Sequence, residues 1–125
     1  MTDAARGQIV FTEIPAADSE RARKFYETLL QAPLILNDNG PDRKWMLPGA
    51  EGAHPVGHIV PGKPATDGGG VTTHFAVTDG LADAMDRVRQ GGGEILSGII
   101  DIPLGWFFYA TDSEGNRLGL FKYAN

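Results

Sequence analysis

Asp18-Ser19-Glu20-Arg21-Ala22-Arg23-Lys24-Phe25-Tyr26-Glu27-Thr28-Leu29-Leu30-Gln31-Ala32-Pro33 is the stretch from which the fold can be read. Ala22, Phe25, Tyr26 and Leu29 recur at i, i+3, i+4 and i+7, one apolar stripe of an amphipathic helix. Asp18 is an N-cap residue, Glu20 suits the positive end of the helix, and Pro33 ends it. A second stripe, Leu81, Ala84, Met85 and Val88, repeats the spacing; 81 minus 22 is an offset of 59 residues. Gln31 and Gln90 keep the same offset, and Gly91-Gly92-Gly93 marks the second stop. Asp79 or Thr78 is the expected cap of the second helix.

Working outward, Gln8 to Pro15 and Val71 to Thr78 read as strands entering each helix. Leu34–Leu36, Lys44–Leu47 and Val56–Val60 follow the first helix as short strands. Glu94–Ile100, Trp106–Thr111 and Arg117–Tyr123 follow the second. Asp112-Ser113-Glu114-Gly115-Asn116 is a hairpin turn with Gly115 free to take a positive φ. Pro61 to Gly70 reads as a flexible linker. The expected architecture is therefore α+β: two βαβββ modules, about 7–62 and 70–124, in a single domain spanning 1–125. A lone module would leave one sheet face bare, whereas two together can curl into a cup-shaped mixed sheet.

Composition narrows the partners. The chain has 125 residues, no cysteine and a net charge of 11 minus 16, or −5. That excludes a disulfide framework, thiolate metal sites and a cysteine nucleophile. It argues against nucleic acid or an anionic membrane as the main partner. No run approaches the ~20 apolar residues of a membrane span, and no signal-peptide core is present, so a cytoplasmic protein is expected. The Gly68-Gly69-Gly70 and Gly91-Gly92-Gly93 runs lack the Lys-Ser/Thr signature of phosphate loops.

Three stretches carry a family resemblance. They are Phe11-Thr12-Glu13-Ile14-Pro15 with Asp18–Ala22 and Phe25-Tyr26; His74-Phe75-Ala76-Val77-Thr78-Asp79; and Asp112-Ser113-Glu114-Gly115-Asn116-Arg117-Leu118. The chain resembles the vicinal oxygen chelate superfamily, the glyoxalase, bleomycin-resistance and dioxygenase group. Its Glu-Ile-Pro opening and Gly-Leu-Phe ending are most similar to the glyoxalase-like branch. The resemblance implies paired βαβββ modules, a cup and a homodimer. In metal-dependent members it also implies His, Gln or Glu ligands on the first and last strands of each module.

Carried over position by position, the first ligand place falls on Phe11, with Gln8 or Glu13 as the alternatives if the register is shifted. The second falls near His58 and the third near Thr72 or His74. The fourth, a glutamate in the family pattern, falls on Gly119. Phe11 and Gly119 cannot bind a metal, so no metal cofactor is expected. The alternative is a divalent ion (Zn, Ni, Fe or Mn) on His58, His74 and Glu13, as in a lyase, isomerase or dioxygenase of the superfamily. His54, between Ala53 and Pro55, reads as a solvated loop residue.

Glu13 lies within an apolar strand; facing the cup, its carboxylate would suit proton transfer, and it is the candidate catalytic residue. Trp106, Phe107, Phe108, Tyr109, Phe121 and Tyr123 form the densest aromatic cluster. Counting back from the turn sets Tyr109 opposite Gly119 and Phe107 opposite Phe121, all on one sheet face. Gly119 would leave a notch there. Phe11, His58, His74, Phe107, Tyr109, Gly119 and Phe121 are thus the candidate ligand-binding residues. The expected function is binding of a small hydrophobic or aromatic molecule in an aromatic-lined cup beside a degenerate metal site. Asp112 and Glu114 sit in a turn and read as turn-stabilising.

Overall fold

The computed structural model describes residues 5–49, 54–67 and 69–124. Its elements run β1 (Thr12–Ala16), α1 (Ser19–Leu30), β2 (Ile35–Asn37), β3 (Lys44–Leu47), β4 (Gly57–Pro61), β5 (Thr73–Ala76), α2 (Leu81–Gln90), β6 (Glu94–Ile95), β7 (Ile100–Ile102), β8 (Gly105–Thr111) and β9 (Arg117–Tyr123). The first sheet has the order β1-β4-β3-β2, and the second runs β5-β9-β8-β6 with β7 also paired to β8. In both, the strand before the helix pairs in parallel with the last strand of its own set, β1 with β4 and β5 with β9. The chain is α+β, with its two sheets in a cup-like arrangement.

The predicted apolar stripes are the buried ones: Ala22, Phe25, Tyr26 and Leu29 on α1, and Leu81, Ala84 and Val88 on α2. They meet one face of each sheet, where Ile14, Ala16, Leu47 and Ile59 lie in the first and Phe108, Ala110, Leu118 and Leu120 in the second. These residues form one continuous core. Period-two alternation places the neighbouring positions on the opposite, concave face. No helix among the described residues is long and apolar enough to cross a membrane.

Three expectations change. Gln8 to Phe11 is not strand, because β4 pairs only as far back as Thr12, leaving those residues no ladder partner. The strand expected over 94–100 is broken in two. Ile95 faces Ala110 and Ile100 faces Phe107, so four residues on one side span two on the other. This is a bulge, and within it Ser97 Oγ accepts from the Tyr109 N–H at 2.9 Å. Finally, α2 starts at an N-cap Gly80 without a side-chain cap. Asp79 instead accepts two hydrogen bonds from the Arg87 guanidinium, at 2.8 and 2.9 Å.

The stretch read as a flexible linker is partly embedded. Pro64 is buried, and the Gly62 N–H donates to the Ala16 carbonyl at 3.0 Å. Besides the shared core, the β8–β9 turn ties the two halves together by hydrogen bonds. Tyr26 Oη donates to Asp112 at 2.6 Å, Arg21 donates to Glu114 at 2.7 and 3.0 Å, and Asn116 Nδ2 donates to the Pro15 carbonyl at 2.8 Å. Gly115 takes a φ of +94°, as the turn requires.

Candidate functional site

On the concave face of the first sheet, parallel register pairs Glu13 with His58. Their side chains meet, His58 Nε2 and Glu13 Oε2 lying 2.9 Å apart. The Phe11 ring stands edge-on to the imidazole with centroids 5.0 Å apart. His58 is buried, but the Glu13 side chain is 69% exposed. The sheltered carboxylate expected for Glu13 is therefore not what the fold supplies. β1 borders the gap between the two sheets, and its Glu13 projects toward solvent there.

On the concave face of the second sheet, β8 and β9 pair Tyr109 with Gly119 and Phe107 with Phe121. β5 brings His74 beside Gly119 in parallel register. The rings form a contiguous surface. Phe107 and Phe121 are stacked at 5.8 Å and 7°, and Phe107 and Tyr109 meet edge to face at 5.4 Å. His74 lies 5.5, 5.7 and 6.2 Å from Phe107, Tyr109 and Phe121. Its imidazole lies over Gly119, so a Cβ built there would fall into the His74 ring. The notch expected at Gly119 is thus filled from within the chain. His74 remains exposed, but its partial desolvation against these rings lowers its pKa from the ordinary histidine value, which favours the neutral ring. A hollow of about 240 Å³ opens beside them, between His74, Leu104, Phe121 and Tyr123.

The postulated metal set separates. Glu13 and His58 come together on the first sheet, whereas His74 is held by the aromatic surface of the second. Among the described residues, no group of three or more histidines and carboxylates is placed to hold a metal ion. A divalent ion on Glu13, His58 and His74 does not fit this chain's arrangement. His54 is exposed.

A further cavity of about 250 Å³ lies in the seam between β1 and β5, and the sequence reading did not anticipate it. Glu13 and Thr12 border it from the first sheet, Thr73, Phe75 and Arg117 from the second, and Lys63 from the connecting segment. The Arg117 guanidinium sits 4.3 Å from the Tyr109 ring centroid, so the seam and the aromatic surface share a wall. The signal was available: residue 117 shares strand parity with 119 and 121. A charged residue directly after a turn nevertheless reads as solvated.

A family model described as "Glyoxalase/Bleomycin resistance protein/Dioxygenase superfamily" matches residues 8–120. No curated protein matches the chain. Among solved structures, the chain is similar to a glyoxalase-related enzyme from Fulvimarina pelagi, with a TM-score of 0.66, 16% identity, and coverage of 93% of this chain and 88% of that one. It is also similar to a glyoxalase/bleomycin resistance protein from Albidiferax ferrireducens T118 (TM-score 0.61, 22% identity, 90% and 95% covered). A third is TnmS3, an antibiotic binding protein from Streptomyces sp. CB03234 (TM-score 0.63, 19% identity, 98% and 100% covered).

Proposed function

Because the chain belongs to the Glyoxalase/Bleomycin resistance protein/Dioxygenase superfamily, we propose that it is a small-molecule-binding protein whose ligand is hydrophobic or aromatic. The observation that carries this reading is the continuous ring surface of His74, Phe107, Tyr109 and Phe121 on a concave sheet face. These side chains lie on the face opposite the helices, away from the core. Four rings meeting at stacking and edge-to-face distances offer a ligand ring the same geometries. The similarity to TnmS3, an antibiotic binding protein, supports the same reading. The Glu13–His58 pair, with Phe11 against it, gives the cup a polar edge on the opposite sheet. The degenerate metal site belongs to this proposal too: Gly119 carries no donor, and His74 packs into the space a carboxylate would need.

The test is a fluorescence titration with 2-naphthamide, a neutral aromatic probe. Phe107→Leu and Tyr109→Leu are each expected to weaken binding roughly fivefold to tenfold, from the loss of one ring–ring contact. Phe11→Leu, whose ring packs against His58 of the first sheet, should change it far less. If neither β8 substitution alters the affinity, the aromatic surface is not the binding face.

A further inference from the structure

Arg117 is left unexplained by both the fold and the aromatic surface. Three described arginines are half-buried: Arg23, Arg87 and Arg117. Arg23 is paired with Glu20 and Glu27, and Arg87 with Asp79. Among the described residues Arg117 has no carboxylate partner, and its buried Nε has no hydrogen-bond partner there either. A buried donor left unpaired is costly, and such groups are rare unless something else satisfies them.

The surroundings indicate what that would be. Arg117 lines the seam cavity, together with the ammonium-bearing Lys63. The carboxylate bordering the same cavity, Glu13, is already engaged by His58 at 2.9 Å. Two cations and one committed carboxylate make the seam locally positive in a chain of net charge −5. Packing against Tyr109 restrains the guanidinium, whose forked donors match a planar carboxylate.

We propose that the seam cavity receives the carboxylate of an amphiphilic organic anion, with Arg117 as its donor and Lys63 as a second charge at the rim. The apolar ring of that molecule lies on the adjoining Tyr109–Phe107 surface. This deepens the small-molecule reading and rests on it for the ring.

A matched pair of probes separates the two. 2-Naphthoate and 2-naphthamide share a ring system and differ in charge. Naphthoate is expected to bind about tenfold or more tightly, the increment of a hydrogen-bonded charge. In 15N-labelled protein the Arg117 Nε–Hε resonance, assigned as the one absent from Arg117→Lys, should shift with naphthoate and not with naphthamide. Arg117→Lys should lose most of the naphthoate preference, read as the ratio of naphthoate to naphthamide affinity in the same variant. The exposed Lys63→Ala should lose a smaller part, with an unchanged melting temperature. Equal affinities with a silent Nε–Hε resonance would overturn the anion site and leave the aromatic face standing. If neither probe binds, both readings fall.

Discussion

Asp112→Ala is expected to be the most damaging single substitution in the β8–β9 turn, costing more than about 3 kcal/mol and lowering Tm by on the order of 10 °C. Asp112 is 2% exposed. It accepts from Tyr26 Oη at 2.6 Å, from the Glu114 and Asn116 backbone N–H groups at 2.8 and 2.9 Å, and from Asn116 Nδ2 at 2.9 Å. Alanine would leave several buried donors unpaired at once. Burial, and then the neighbouring Asp112 charge, push the Tyr26 pKa well above its ordinary value, so the phenol remains a proton donor through alkaline pH. Tyr26→Phe removes one of the four bonds and should cost only about 1–2 kcal/mol. Because both changes break the same contact, the double variant should be less unstable than the sum of the singles. Thermal melts of the three variants check this. An Asp112→Ala protein as stable as Tyr26→Phe would mean that the turn is held by other contacts.

The second large effect depends on pH. Burial alone would raise the Glu114 pKa. Hydrogen bonds from Arg21, from the Asp18 N–H and from Ser113 outweigh it, and the net pKa lies below the ordinary 4.5. With a depressed folded-state value, the stabilisation is complete above 4.5 and is lost as pH falls through the folded value. Wild-type Tm should therefore drop within that window, as pH falls from 4.5 through the folded value. Glu114→Gln should be less stable near neutrality by on the order of 5 °C and show a shallower acid limb. Arg21→Met, which leaves the carboxylate buried without its cation, should be destabilised at neutral pH and recover relative to wild type as the medium is acidified. Parallel acid limbs in wild type and Glu114→Gln would contradict the role assigned to Glu114.

Both networks bear on what could be read from the letters. The helices were legible because their stripes obey a period that burial enforces: Phe25 and Val88 had to face a core wherever the sheets went. The β8–β9 hairpin was equally plain, since a five-residue turn fixes register, and Tyr109 does face Gly119. Residues 8–11 misled because Ile9-Val10-Phe11 has strand composition, while strand formation needs a neighbour, and β4 begins too late to supply one. Among site residues, the meeting of Glu13 with His58 and the separation of His74 depended on which sheet each strand joined. Local pattern does not carry that information. Arg117 was missed for a related reason: its character comes from Tyr109, eight positions earlier, and from a connecting segment that closes over the seam.

The start of α1 has a consequence for synthesis. Asp18 caps its own helix by accepting from the Arg21 N–H at 3.1 Å. In a capping box the third helical residue would return a carboxylate to the cap's N–H. That place holds Arg21, and the returning carboxylate comes from Glu114, which accepts from Asp18 at 2.8 Å across 96 residues. On the ribosome, at ~5–20 residues per second, α1 therefore waits roughly 5–20 s for the returning half of its capping arrangement. Until the final hairpin emerges, the nascent amino-terminal half carries an incompletely capped helix and an open seam. A chain stopped before the hairpin would leave Tyr26 without Asp112 and part of the shared core unfilled, so the two halves complete one another although each has its own sheet.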